Sequence, residues 1–469
     1  MKLKMAMAGN EDLSEVLPEC LLHIIISFLP FKEAARTSIL SKFWLNLWRA
    51  TKNIEFHESF FVKPEESDAT QVMKRRVFIH FVQQWIGNYC ESCIDKFALA
   101  VSKPENFVAD IENFIAFAIA KGVKGLSLDF SDPTWMEDDP KNHEPLFDLP
   151  SHVYEHGVLE SLKLFSCKIH IPAIKIFSLL KDLSLGWIEL QEKSLKALLQ
   201  HCPLLQSLSL TKCWNMGHFY LSEPSLLLKK LAIENCSFHD PVWIYIKNAP
   251  RLQFFKYSGK VASFDLDYLC CWEEADLDFG LESSFNGTAD LLYNLLLDLF
   301  SVTILSVCSF MLQVISNSRE SYGTAFPLNV RHLTLKTALH GHEFSGITFF
   351  FDNCPLLQTL TIVLCPARNF PDYEPPFEFI HNFWTKNLKV YKCLRRSLKT
   401  VEVKGFKGTA NEFLVLQYLI GLGRVMERLN IYISRETDDN GGNVELYRER
   451  AQMLLQLNKA SKKLQISIY

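Results

Sequence analysis

Between residues 94 and 433 one hydrophobic pattern keeps returning: an apolar residue, two others, a second apolar residue, one other, then a third. It stands at Ile94-Phe97-Leu99, Val123-Leu126-Leu128, Leu159-Leu162-Leu164, Leu180-Leu183-Leu185, Leu205-Leu208-Leu210, Leu228-Leu231-Ile233 and Leu252-Phe255-Tyr257. It resumes at Val330-Leu333-Leu335, Leu357-Leu360-Ile362, Leu398-Val401-Val403 and Met426-Leu429-Ile431. The last two apolar positions of each triplet are two apart, the period of a strand that buries one face and leaves the other open. From Leu159 to Leu252 the starts lie 21, 25, 23 and 24 residues apart, so each strand brings one return segment with it. That is the arithmetic of a repeat array in the α/β class.

The full pattern, as in Leu159-x-x-Leu162-x-Leu164-x-x-Cys167, resembles a leucine-rich repeat. In that architecture the strands run parallel along the concave face of a curved solenoid and helices lie outside. Cys167, Cys213, Cys236 and Cys365 fall three residues past the last apolar position, where the repeat turns inward, so they are expected to be structural. His201-Cys202-Pro203-Leu204-Leu205 and Asn353-Cys354-Pro355-Leu356-Leu357 are near copies, with proline ending each outer helix before the next strand. The outward strand positions form the candidate substrate face: Lys163, Phe165, Ser207, Ser209, Thr211, Lys230, Glu234, His332, Thr334 and Lys336. Between 271 and 317 the register blurs, with Leu277, Phe279, Leu305 and Val307 as candidate strand positions.

The N-terminal pattern is of another kind. Pro18 suits the first turn of a helix and Pro30 cannot continue one. Between them Leu17, Leu21, Ile24 and Phe28 recur at helical spacing, and so do Pro18, Leu22, Ile25 and Leu29. One stripe packs at home and the other needs a partner. A short second helix follows from Phe31, and Ser41 caps a third that carries Leu40, Trp44, Leu47 and Trp48. Leu17-Pro18, Leu21-Leu22, Ile25, Ser27-Phe28-Leu29-Pro30, Thr37-Ser38, Leu40-Ser41-Lys42 and Trp44 through Trp48 closely resemble an F-box. Cys20 departs from a position that is often acidic, and Phe43 from one that is usually basic. The resemblance implies docking on a Skp-type adaptor, and through it on a cullin–RING ubiquitin ligase, by Leu17, Pro18, Leu22, Ile25, Leu29, Leu40 and Trp44.

After residue 397 the order is a strand opening Ser397-Leu398-Lys399-Thr400-Val401, a glycine-bearing turn, a helix from about Asn411 to Leu422, and a strand Met426 to Ile433. A last helix from about Val444 and a strand Leu464 to Ile468 follow. This resembles the FBD region found behind F-box and repeats in a large plant group, and a solenoid needs such a cap. The expected organisation is F-box 11–50, linker and capping helix 51–93, repeats 94–396 and FBD-like region 397–469. Phe56 to Thr70 reads as linker, and the following helix is expected to turn Val72, Val77, Phe81, Trp85 and Ile86 inward. Ser131 to Pro150 and Cys365 to Phe377 read as surface insertions.

Composition narrows the function. With 48% hydrophobic and 22% charged residues in 469, the chain can bury a large core. A net charge of -4 gives no basic footprint for nucleic acid, and the basic run Lys386 to Lys407 alternates with Leu398, Val401 and Val403 as a solvated strand would. Thirteen cysteines and no secretory h-region at the N-terminus point to reduced thiols in cytoplasm or nucleus. Cys90-x-x-Cys93 stands without a second pair, so no metal is expected. The apolar run Leu291 to Ile315 is broken by Asn294 and Asp298 and reads as a repeat helix and strand, not a membrane span. No phosphate loop, nucleophile elbow or HExxH motif is present, and no cofactor is expected. The sequence thus reads as a non-catalytic substrate receptor of a Skp–cullin–F-box ligase, with a scaffold lacking any ligase role as the alternative.

Overall fold

A computed structural model of the chain describes residues 17–132, 134–135, 147–170, 177–222, 227–267, 270–285, 287–318, 327–366, 383–386, 389–436 and 442–469. Most of both expected insertions lies outside these residues. The chain divides into two units, 1–205 and 206–469.

In the first unit every apolar triplet has become a strand. Asn53–His57, Lys96–Ala100, Gly125–Asp129, Ser161–Phe165 and Asp182–Gly186 pair in that order, all parallel and in register. The register carries Phe97, Leu126, Leu162 and Leu183 across the sheet in one row and Leu99, Leu128, Leu164 and Leu185 in the next. All eight are at most 2% exposed. Return helices Val108–Ala120 and Glu192–Gln200 bury Ile111, Phe114, Ile115 and Leu195, Leu198, Leu199.

Two expectations fail near the start. Phe56 is not linker: Asn53–His57 opens the sheet, with Ile54 and Phe56 buried against its core. The helix Asp68–Gly87 turns Arg75, Phe78, Ile79, Val82 and Trp85 inward and leaves Val72 and Val77 exposed. The inward face was missed because it contains a charge. Arg75 is enclosed beside Glu58, its Nη2 donating to Glu58 Oε1 at 2.7 Å and to Ser102 Oγ at 2.9 Å.

The second unit pairs ten parallel strands in chain order: Ser207–Thr211, Lys230–Glu234, Phe254–Ser258, Glu274–Asp278, Ile304–Cys308, His332–Thr337, Thr359–Leu364, Thr400–Phe406, Arg428–Ile433 and Gln465–Ile468. The blurred stretch resolves into two regular strands with Ala275, Leu277, Leu305 and Val307 inward, and Phe279 buried one residue past its strand. The apolar run becomes helix Thr288–Asp298 and strand Ile304–Cys308. Among the described residues no helix is long and apolar enough to cross a membrane.

The outer layer of the early repeats departs from the helices expected there. Phe219–Leu221, Trp243–Ile246 and Ser263–Leu266 form a second parallel sheet. These segments are short, alternating and rich in aromatic residues, which favours a pleated surface over a helix. Cys167 and Cys213 lie buried as the repeat pattern requires, following left-handed turns at Ser166 (φ 57°) and Lys212 (φ 51°). Burial pushes the Cys167 thiol up and Cys202 up to about 12, so neither is a nucleophile. Cys236 is half-buried and Cys365 exposed. The burial expected of Cys365 therefore does not hold behind strand Thr359–Leu364.

The C-terminal region continues the sheet. Thr359–Leu364 pairs with Thr400–Phe406, which pairs with Arg428–Ile433, which pairs with Gln465–Ile468. Its helix Ala410–Leu422 begins with a reciprocal cap: Thr409 Oγ1 accepts from Glu412 N, and the Glu412 carboxylate accepts from Lys407 N, Gly408 N and Thr409 Oγ1.

Helix Phe344–Asn353 packs so closely on helix Ser309–Val314 that a Cβ on Gly346 would sit 2.0 Å from the Leu312 carbonyl oxygen. Backbone cannot yield as a side chain can. Gly346→Ala is therefore expected to cost about 1–3 kcal/mol or more, read as a lowered Tm of the full-length chain. An unchanged Tm would show that the two helices separate freely.

Candidate protein-docking site

Among the described residues three helices precede the first strand: Glu19–Phe28, Phe31–Thr37 and Lys42–Arg49. Pro18 and Pro30 occupy their N-terminal boundaries, and Ser41 caps the third, its Oγ accepting from Trp44 N at 3.3 Å. The local fold follows the sequence signals.

The home core is very small: Leu22, Ile26, Ala34 and Leu47, with Leu17, Phe43, Trp44 and Trp48 packed around it. Since Leu22 and Ile26 are one turn apart, they fix which side of the first helix faces inward. Everything apolar on the other side is left out. Leu21, Ile24, Ile25 and Leu29 are exposed, Phe28 is 82% exposed, and Ile39 and Leu40 in the next turn are 86% and 68% exposed. Seven large apolar side chains within some twenty residues are far more than a free surface tolerates without a partner.

Of the seven docking residues named from sequence, Ile25, Leu29 and Leu40 lie on this exposed face and Pro18 at its edge. Leu17 and Trp44 are half-buried against the core. Leu22 is corrected: at 1% exposure it supports the face from beneath and offers nothing to a partner. Phe28 and Ile39 are the most exposed of the seven apolar side chains and were not among the docking residues named from sequence. For Phe28 the missed signal is its place opposite Leu22 and Ile26 on the helical wheel, while Ile39 lies in the turn after the second helix, outside any helical period. Leu22→Ala should thus cost about 2–5 kcal/mol of folding stability, while Ile25→Ala leaves the Tm in place. Equal Tm losses for the two variants would contradict this division of roles.

The three helices are fixed to the repeats behind them by aromatic packing. The Phe31 ring meets Trp48, Phe56 and Trp85 at centroid distances of 5.7, 5.5 and 5.8 Å. Asn53 Nδ2 donates to Ser27 O at 3.2 Å. A fragment ending at residue 50 would lose Phe56 and Trp85 and leave Phe31 and Trp48 uncovered.

The candidate substrate residues all sit on the open face of the sheets. In the first unit Lys163 is exposed, whereas Phe165 lies over Gly186 of the neighbouring strand and is half-buried. In the second unit, Lys230 and His332 are exposed and Ser207, Ser209, Thr211 and Thr334 half-buried. Glu234 and Lys336 are already engaged, with Lys256 at 2.6 Å and Asp276 at 2.7 Å.

Comparison with known proteins follows this division. Residues 15–55 match the F-box domain model, 111–263 the model for the LRR repeats of the FBD-associated F-box protein At5g56370, and 386–431 the FBD model. The Arabidopsis thaliana F-box protein At3g62230 is 33% identical over 432 residues, covering 91% of this chain and 92% of its own length. The chain belongs to the F-box/LRR-repeat family. A more distant relative in this family, the F-box/FBD/LRR-repeat protein At1g78750 of the same plant, is 25% identical over 434 residues, 88% of each chain. The F-box match covers the three helices and ends within the first strand, Asn53–His57, and the FBD match ends within Arg428–Ile433. F-box/LRR proteins serve in general as non-catalytic substrate receptors of SCF-type ligases.

Proposed function

We propose that this F-box/LRR chain is the substrate-recognition subunit of a Skp–cullin–F-box ubiquitin ligase, holding a protein target on its repeats. The observation that carries the reading is the exposed face of Leu21, Ile24, Ile25, Phe28, Leu29, Ile39 and Leu40 over a four-residue core. Burying such a face stabilises by about 25 cal/mol per Å2 of apolar surface, which neither the small core nor a solvated surface supplies. The receptor contributes proximity, raising the target's effective concentration near the ligase, and no residue of the chain takes part in the transfer chemistry. The open strand face, with Lys163, Lys230 and His332 exposed, supplies side chains for a protein target.

The reading is tested by capture of a purified Skp-type adaptor on the immobilised full-length chain. Binding is expected for the wild type and for Lys230→Ala, which lies on the repeats. Absence of adaptor binding by the wild type would favour a scaffold with no ligase role.

A further inference from the structure

On the open face of the second unit's sheet the in-register strands set side chains out in rows, and the rows differ in how far their charges are satisfied. One row runs Lys230, Phe254, Glu274, Ile304 and His332 across five successive strands. In the rows beside it Glu234 is paired with Lys256 at 2.6 Å and Asp276 with Lys336 at 2.7 Å, so those charges are met within the chain. Among the described residues, the side chains of Lys230, Glu274 and His332 make no hydrogen bond or ion pair.

Glu274 stands at the centre of this row. It is half-buried, with half-buried Phe254 on one neighbouring strand and exposed Ile304 on the other. A carboxylate between two apolar side chains gives up water without gaining a counter-charge, and a cation with an apolar stem supplies both what the charge and what its neighbours lack. At the ends of the row, exposed Lys230 and His332 offer N–H donors. Spacing selects the form of the occupant. Neighbouring strands lie about 4.8 Å apart, so the row spans about 19 Å. On a helix, residues i, i+4, i+7, i+11 and i+14 share one face and span about 21 Å. Five same-face residues of an extended segment, two apart, span about 27 Å and run out of step with the row.

We infer that the protein target is gripped through an amphipathic helix laid along this row, with a lysine or arginine at its centre against Glu274. An apolar side chain on either side of that cation rests on Phe254 and Ile304, and acidic side chains at the two ends accept from Lys230 and His332. The complementarity is of charge and of spacing together, and it rests on the receptor reading, for which it names the element recognised.

The test is fluorescence anisotropy of a labelled, hydrocarbon-stapled alanine-based helix carrying glutamate, leucine, lysine, leucine and glutamate at those five positions, titrated with the full-length chain. Saturable binding is expected, and the same helix with glutamate in place of its central lysine should bind about tenfold or more weakly. Glu274→Lys should reverse that preference, which also shows that the variant is folded. Glu274→Gln, which removes only the charge, should bind the two helices alike. Binding of neither helix by the wild type, equal binding of both, or a wild-type preference kept by either variant overturns the inference. Adaptor capture by the same preparation separates this failure from that of the receptor reading, which falls only if the adaptor is not held.

Discussion

Phe28→Asp, Ile39→Asp and Leu40→Asp introduced together abolish adaptor capture by the full-length chain while its melting temperature stays within a few degrees of the wild type. Both halves of this expectation follow from exposure. The three side chains are 82%, 86% and 68% open, so charging them leaves the Leu22, Ile26, Ala34 and Leu47 core untouched. Anchors near the centre of an interface are each worth on the order of 2 kcal/mol or more, and two of them alone amount to roughly three orders of magnitude in affinity. Surface plasmon resonance with the adaptor immobilised gives the number. A variant that folds and binds with unaltered affinity would place the docking face elsewhere.

Arg75→Leu has the largest expected effect on stability. It leaves the Glu58 carboxylate enclosed with, among the described residues, Ser102 N and Oγ as its remaining donors, at 2.9 and 2.7 Å. Breaking one side of a buried ion pair costs about 3–5 kcal/mol. In a unit the size of residues 1–205 each kcal/mol lowers Tm by about 2–4 °C, so a fall on the order of 10 °C in the transition of that unit is expected by calorimetry. Glu58→Leu with Arg75→Leu should recover much of that loss, because two apolar groups carry no desolvation penalty. A double variant less stable than Arg75→Leu would mean that Glu58 is held chiefly by Ser102.

What could be read in the sequence was whatever depends on local periodicity. Leu126, Leu162 and Leu183 announce their strands because the buried face of a strand repeats every two residues, and the structure puts them in one row. The F-box helices were legible from Pro18 and Pro30, which act through their own backbone, and from Ser41, whose side chain caps the backbone three residues on. Leu22 and Ile25 could not be told apart. In a helix apolar on both sides, periodicity does not reveal which side faces the core, and only contact with Leu47 and Ala34 decides it. Arg75 was absent from the expected inward face for a related reason: its burial depends on Glu58, seventeen residues away, and no pattern within the helix encodes that pairing. The outer strands Phe219–Leu221 and Trp243–Ile246 escaped because three or four residues are too few to show a period.

The attachment of the F-box helices to the sheet also decides how the account must be tested. Deleting residues 1–50 would strip Phe31 and Trp48 from Phe56 and Trp85, so loss of function in such a fragment could come from unfolding. The triple Asp variant avoids this. The most direct measurement is therefore size-exclusion chromatography with light scattering on the full-length chain mixed with a Skp-type adaptor and a cullin, beside the triple variant. The account predicts one complex of all three proteins in equal numbers for the wild type, and a variant that elutes alone as a folded monomer. A wild-type chain eluting free of adaptor and cullin, or a triple variant that still joins them, would contradict it.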